Sequence, residues 1–467
     1  MRRFLAIIAL SYSSLSYAQQ TLYESDYGTL SAGLQIQTAT LLEGNNRSGD
    51  PTKQHLSDVY GELTVEPNVK ATINLPKESQ LYAGFSFIYS AISGNDPSGI
   101  TQHGVLMPLE KTDFTEYGYY KNFKDAGLTE EKYIGWKSGK LLEKFDANML
   151  DLSAGAQDYK LGTGLLLANG TDDGGYRGSY WIGSRTAFTN TLIARINTNG
   201  IKLEGFHLET RPRNPTTRRN YDGVNLEYNY HDTATVGVSY INANNKGNKR
   251  NIHEEGSLFN TAYTSMDNDI YNIRLSFIPL ATALPDLSIS GEYVNQHNNI
   301  TTQPIFDAAV VDRHIAQGGY AQIEYKFSEL SWQPTLSYRY TRLGKGFDSM
   351  AYGFKTWGTW FQGEINGEFI LDNSNLITQV GRLTLTPTER ISLNLIYLNY
   401  EFVNPSAFNL TDSHYGNEID LLADWAVNAT VDLAAGLETF VPSEAGQQYL
   451  GGNKTWVQGM LYASFKF

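Results

Sequence analysis

The last stretch of the chain, Lys454-Thr455-Trp456-Val457-Gln458-Gly459-Met460-Leu461-Tyr462-Ala463-Ser464-Phe465-Lys466-Phe467, decides the fold. Val457, Gly459, Leu461, Ala463, Phe465 and Phe467 are apolar or small and take every second position. Gln458, Tyr462, Ser464 and Lys466 stand between them. Successive side chains of a strand point to opposite faces, so this alternation predicts a strand with one apolar and one polar face. Two architectures end on such a strand: a soluble sandwich, with the apolar face turned inward, and a membrane barrel, with it turned outward.

A chain that stops on an aromatic residue inside a strand resembles the closing strand of a bacterial outer-membrane β-barrel. That resemblance implies that Phe467, with Phe465 before it, belongs to the signal read by the barrel assembly machinery. The other end agrees. Arg2 and Arg3, the apolar run Phe4 to Leu10, and the small-x-small triplet Ser16-Tyr17-Ala18 read as a secretory signal over residues 1–18. One barrel domain, 19–467, is expected to follow.

Composition narrows the class further. The chain has no Cys, so disulfides, thiol chemistry and thiolate metal sites are excluded, as is a lipid-modified amino terminus. No apolar run of the mature chain approaches the ~18 residues of a membrane helix. Yet 31 Tyr and 21 Phe accompany only 14 Pro and 6 Met, a balance that fits a barrel apolar outside and polar inside. The formal charge is −13, and two units more negative once Arg2 and Arg3 are removed. Nucleic acid, which needs a basic face, is not an expected partner. Outer-membrane lipid and lipopolysaccharide are, around a monomer.

Alternating segments long enough to cross an outer membrane occur at 28–41, 55–66, 81–92, 130–138, 150–158, 190–198, 200–209, 222–231, 234–243, 269–280, 286–297, 318–328, 332–342, 375–386, 390–402, 416–427, 429–441 and the terminal strand. These make 18, and both ends of such a barrel lie in the periplasm, so the number must be even. Residues 359–371 also alternate, but tracing back from Phe467 puts them on the outer side, in a long loop 343–374 with local strand or helix. The alternative is a missed partner strand within 159–189. The predicted fold is thus all-β, an antiparallel transmembrane barrel of 18 strands with short periplasmic turns and long extracellular loops. Expected tight turns are Asn199-Gly200, His231-Asp232, Pro387-Thr388 and Asn428; 67–80 and 139–149 read as longer ones. The long loops are 93–129, 159–189, 244–268, 298–317 and 343–374.

Three stretches resemble the alginate-export family of outer-membrane proteins. They are Gly155-Ala156-Gln157-Asp158-Tyr159 with Gly162-Thr163-Gly164-Leu165-Leu166; Gln362-Gly363-Glu364-Ile365-Asn366-Gly367-Glu368-Phe369 with Asn373-Ser374-Asn375-Leu376; and Leu385-Thr386-Pro387-Thr388-Glu389-Arg390 with Leu393, Leu395 and Tyr397. The resemblance implies an 18-stranded barrel and passage of an anionic polysaccharide through an arginine-lined pore. Three departures count against alginate itself. Ala156 stands where the family usually has Arg, Thr189 where Asp is usual, and the connection at Asn428 is tight where the exporter carries a long periplasmic loop. The expected function is a porin-like channel for passive passage of polar solutes, not an enzyme and without a cofactor. An uptake channel for small saccharides or organic anions, and a non-conducting structural or adhesin barrel, are the alternatives.

By parity the lumen face carries Lys137, Arg195, Lys202, Arg274, Lys326, Arg339, Arg382, Arg390 and Lys466 against Glu62, Asp151, Glu204, Glu227, Glu292, Glu324, Glu418, Asp420, Asp424, Asp432 and Glu438. Opposite charges on neighbouring strands can pair across the wall. Alternatively, Arg195, Arg274, Arg339 and Arg382 form a basic track suited to carboxylates. Candidate pore-lining residues are these four with Lys202, Glu227, Glu292, Glu324 and Asp424. With no amino-terminal plug expected, an outer loop must narrow the pore. The loop 93–129 is the first candidate, through Tyr117, Tyr119, Tyr120 and Lys121, and 159–189 the second.

Weaker motifs remain. Asn169-Gly170-Thr171-Asp172-Asp173-Gly174-Gly175 reads as a flexible acidic loop or a Ca²⁺ loop. Arg211, Arg213, Arg218 and Arg219 form a basic cluster, solvated or facing lipopolysaccharide. His253-Glu254-Glu255 lacks the second His of a zinc site, and no Gly-x-Ser-x-Gly element occurs.

Overall fold

Alternation runs through every wall strand of the computed structural model, which describes residues 19–50, 57–94, 124–142, 145–171, 181–211, 218–231, 233–245, 250–253, 261–303, 310–353, 362–371 and 373–467. Residues 1–18 lie outside this set. The strands are β1 (Gln20–Ser25), β2 (Gly28–Gly44), β3 (Ser57–Asn74), β4 (Gln80–Gly94), β5 (Lys124–Lys137), β6 (Leu150–Gln157), β7 (Phe188–Thr198), β8 (Ile201–Glu209), β9 (Asn220–Tyr230) and β10 (Ala234–Asn244). They continue as β11 (Arg250–His253), β12 (Thr261–Phe277), β13 (Leu287–Gln303), β14 (Val310–Lys326), β15 (Thr335–Leu343), β16 (Leu376–Thr388), β17 (Ile391–Phe402), β18 (His414–Ala426), β19 (Val431–Pro442) and β20 (Trp456–Lys466).

All strand pairings are antiparallel and, apart from β10 with β12 and the closing pair, join strands consecutive in the chain; β2 closes the ring on β20, Gln35 to Gly44 against Lys466 to Val457. Two strands stand outside the wall. β1 pairs only with the start of β2, in line with β20, and β11 only with the start of β12, in line with β10. The wall is therefore a closed barrel of 18 strands. Every expected strand is present. The described parts of 158–187 hold no strand, only the isolated bridges Leu167–Ala351 and Thr171–Arg211, so the alternative partner strand is not formed there. The stretch 344–375 connects β15 to β16 and carries a short helix, Asn366–Phe369.

Large apolar side chains line the outside. Ile273 and Leu275 on β12, Leu421 on β18, Leu437 on β19 and Leu461 on β20 are all exposed, whereas the residues between them point inward. An apolar band around the whole molecule is stable against hydrocarbon and not against water. With the closed antiparallel ring this makes the molecule a membrane-spanning barrel of the bacterial outer membrane.

Short connections share one rim with the start of β2 and the end of β20: 75–79, 138–149, 199–200, 231–233, 278–286, 327–334, 389–390 and 427–430. Asn199 (φ 47°) and Gly200 (φ 76°) take the left-handed conformation that a two-residue hairpin demands. Two expected boundaries are corrected. β3 does not end at 66 but runs to Asn74, and the turn is 75–79. Pro67 stands inside the longer strand: the β3–β4 pairing jumps from Val65–Tyr89 to Asn68–Ser86, so its missing N–H falls in a gap of the ladder. The turn after β16 is at Glu389-Arg390, not Pro387-Thr388, because the ladder resumes at Thr388–Ile391.

Candidate lumen constriction

Two outer connections turn into the barrel, 158–187 and 344–375. The first begins on the wall β7–β15. Tyr159 packs on Phe206 with ring centroids 4.9 Å apart, and Leu161, Leu165, Leu166 and Leu167 are buried beside Ile193, Leu208 and Tyr221. Gly162, at φ +51°, lies against the guanidinium of Arg274; a Cβ there would stand 2.4 Å from Nε. Thr163 donates to the Glu292 carboxylate, which also accepts Asn272 Nδ2 at 2.8 Å.

The second connection joins the first. Ala168 N–H donates to Ala351 O at 2.8 Å, Ala351 N–H to Leu166 O at 3.1 Å and Gly353 N–H to Gly164 O at 3.2 Å. Asp348 fixes this part to the wall. Its carboxylate accepts Arg219 Nη1 at 3.0 Å and Asn268 Nδ2 at 3.3 Å, while its backbone N–H donates to Gln296 Oε1 at 2.7 Å. Burial alone would raise the Asp348 carboxyl, but the charge and hydrogen bonds of Arg219 outweigh it and hold the group below the ordinary aspartate range.

Across the lumen the same connection docks on β17–β20. Glu418 accepts Ile365 N–H at 2.8 Å, Asn366 N–H at 3.0 Å, Asn366 Nδ2 at 2.5 Å and Tyr400 OH at 3.1 Å. Gly363, at φ +99°, allows this approach, since a Cβ would stand 2.2 Å from the Tyr400 hydroxyl. Ile365, Phe369 and Ile370 are buried with Leu398, Phe402 and Trp456, and Phe369 stacks on Trp456 at 6.3 Å. Trp181 ties the two connections together: its N–H and that of Ile182 donate to Glu62 at 2.9 and 2.8 Å, and its indole to Glu364 at 2.8 Å. A buried N–H left without an acceptor costs about 1–3 kcal/mol, so Glu418 and Glu62, which cover four such groups between them, anchor these segments.

The structure places the expected lumen residues as follows. Arg195 Nε donates to Glu204 at 2.9 Å, and Lys202 is 3.1 Å from the same carboxylate. Arg274, 6% exposed, donates to Ser239 at 2.8 Å and Asn272 at 2.9 Å and pairs with Glu227 at 3.2 Å. Arg382 faces Glu324 at 3.7 Å. Arg339 is buried and donates to Gln362 Oε1 at 3.3 Å. Asp424 is half-buried on the inner face of β18. Arg195 thus pairs with an acid of the adjacent strand, whereas Arg274 and Arg382 each reach an acid across one intervening strand. The acids of β18–β3 (Glu418, Asp420, Glu438, Glu43, Glu62 and Glu66) form a separate, buried sector.

Tyr117, Tyr119, Tyr120 and Lys121 lie outside the described residues, as do Asp172 to Gly175. Among the described residues no group of three His, Cys, Asp or Glu side chains is placed to hold a metal. The basic cluster is corrected: Arg211 pairs with Glu130 at 3.1 Å, Arg218 with Glu209 at 3.4 Å, and Arg219 with Asp348. It is neither simply solvated nor a free patch, although Arg213 lies outside the described residues. The anchors Glu418, Glu62 and Asp348 were missed as loop sites. Parity puts Glu418 and Glu62 inside, but nothing local tells which backbone they receive.

No protein-family model and no curated protein matches the chain. Solved structures do. Pseudomonas aeruginosa OccK2 (OpdF) aligns with a TM-score of 0.54 at 12% identity over 93% of this chain and 97% of its own. The fold is that of outer-membrane porins. Pseudomonas aeruginosa OccK7 (OpdD) aligns at 0.52, 11% identity, over 95% of this chain and 99% of its own. A BenF-like porin from Pseudomonas fluorescens Pf-5 aligns at 0.50, 11% identity, over 93% and 98%. At these identities the likeness is one of architecture.

Proposed function

We propose that the protein is a passive outer-membrane channel for small polar solutes, saccharides or organic anions, working as a monomer within lipid and lipopolysaccharide and not as an enzyme. The observation that carries this is the division of the lumen. In the periplasmic half the inward side chains Arg195, Lys202, Glu227, Arg382 and Glu324 stay partly exposed to water. In the outer half the two inward connections pack against the wall. A polar, charged lumen narrowed by protein segments selects small polar solutes by size and charge.

Export of an anionic polymer, which the sequence resemblance to the alginate-export family suggests, fits less well. The narrowing segments are bonded to both walls, and the connection from β18 to β19 is the short turn 427–430. Planar-bilayer recording of the purified barrel tests the reading. Discrete conductance steps blocked by small saccharides or carboxylates support it. Absence of conductance by a folded barrel would leave a structural or adhesive role, and block by long polyuronate alone would favour the exporter.

A further inference from the structure

Asp420, Glu438, Gln458 and Glu43 stand directly opposite one another across β18, β19, β20 and β2, all facing inward. Asp420, Glu438 and Gln458 are fully buried. Side chains opposite each other in a ladder lie about 5 Å apart, and like charges there repel. Glu364, Glu418 and Glu43 add carboxylates close enough to Glu438 to act on it electrostatically. Among the described residues no Lys or Arg makes an ion pair with Asp420 or Glu438.

Polar atoms of Asp420, Glu438 and Gln458 also lack partners. Neither carboxylate oxygen of Glu438, neither amide atom of Gln458, nor Oδ1 of Asp420 has a hydrogen bond. This contrasts with Glu418 and Glu62 on the same wall, whose oxygens are covered by N–H and O–H donors. Gln458 is an independent sign: it is a fully buried amide beside Glu438 and Glu43 in the row, and its carbonyl oxygen has no partner. Gly436 leaves the space that Glu438 occupies: a Cβ there would stand 1.9 Å from Oε1.

We propose that Asp420, Glu438 and the amide oxygen of Gln458 bind one Ca²⁺, with water completing its shell. All the donors are hard oxygens, and Ca²⁺ accepts carboxylate, amide carbonyl and water together in irregular geometry. Two carboxylates with an amide form a partial site, in keeping with the lack of any convergent trio of acids. Gln458 lies near the outer end of β20 and Glu43 near that of β2, so the site is on the side facing the external medium. It lies directly under the docked connection, because Glu364 N–H reaches Asp420 Oδ2 at 3.4 Å. The ion removes the repulsion within the row and holds 362–366 against the wall. The inference is independent of which solute passes.

The test uses the full folded barrel in detergent, titrated with CaCl₂ after EDTA treatment by calorimetry, with thermal unfolding followed in parallel. One saturable site and a melting temperature raised by Ca²⁺ and returned by EDTA are expected. Glu438→Gln, Asp420→Asn and Gln458→Leu should each weaken binding at least ten-fold, while Glu78→Gln, on the periplasmic rim, should not. Absence of binding or of a Ca²⁺-dependent melting shift in the wild-type barrel overturns the proposal, whatever the variants do. So does unchanged binding in the Asp420→Asn, Glu438→Gln double variant. Wild-type stability that depends on pH but not on Ca²⁺ would show that protons, and not an ion, neutralise the row, and would likewise overturn it.

Discussion

Leu34 and Phe467 exchange two backbone hydrogen bonds, each 2.8 Å long, at the seam where the barrel closes. The last residue is therefore a paired member of the ladder, and β1 takes up the edge of β2 just past it, from Ala32 to Gly28. The Phe467 side chain remains 55% exposed, toward lipid. Its main chain closes the seam, and its ring stays on the outer surface.

Deleting Phe467 should lower the yield of folded barrel, since it removes both bonds and the ring, while Phe467→Asp should do so through the ring alone. Heat-modifiable migration after expression in a Gram-negative host measures this. Conductance of whatever folds should be unchanged. A deletion that folds in wild-type yield would remove the assembly role of the last residue.

Leu275 and Ser276 test the register of β12. Leu275 is on the outer face, opposite Val236 and Gly291, and Ser276 on the inner one, opposite Thr235 and Ser290. Leu275→Arg, two residues before the end of β12 at Phe277, puts a charge on the lipid face near the interface and should cost up to about 1 kcal/mol. Ser276→Arg should fold normally and shift ion selectivity toward anions. Urea unfolding in liposomes and reversal potentials in a salt gradient separate the two, and equal behaviour would contradict the register.

Glu418→Ala should free the connection 362–366. It leaves the N–H groups of Ile365 and Asn366 buried without an acceptor, at about 1–3 kcal/mol each. The wall ladder is untouched, so the barrel should fold. Single-channel recordings should show larger conductance or new sub-states. Wild-type traces from a folded variant would mean that this segment does not limit the flow.

Asp348 sets a pH dependence. Its carboxyl is held below the ordinary value of ~3.9 by Arg219 despite burial. A depressed carboxyl contributes stability that is fully present above the unfolded value and is lost as pH falls through the folded one. Docking of 344–353 should therefore persist through neutral and mildly acid conditions and fail only in stronger acid. Asp348→Asn should bring the open-channel noise expected of strong acid to neutral pH. Noise spectra recorded over a descending pH series check this.

The sequence by itself determined the wall. A strand reports its two faces through a period of two, a signal contained in ten residues, so Leu461 outward and Gln458 inward are legible without any partner. Closure follows from the same signal, because a strand exposed on one face to hydrocarbon must pair on both edges. Asn199-Gly200 marks its own turn through the left-handed backbone it favours. The end of β3 was not legible: the alternation predicts a strand only to 66, yet the strand runs on through Pro67 to Asn74 because the gap beside Pro67 needs no N–H.

Only the tertiary structure decided what fills the lumen. Glu418 meets Asn366 across 52 residues of chain, Glu62 meets Trp181 across 119, and Arg219 meets Asp348 across 129. Each contact joins a carboxylate or guanidinium at the wall to an outer connection far away in the chain, with Gly162 and Gly363 admitting the close approach. Parity can say that such a charge faces inward. Which segment covers it depends on the closed ring bringing distant strands to one level, and no local pattern in the sequence records that.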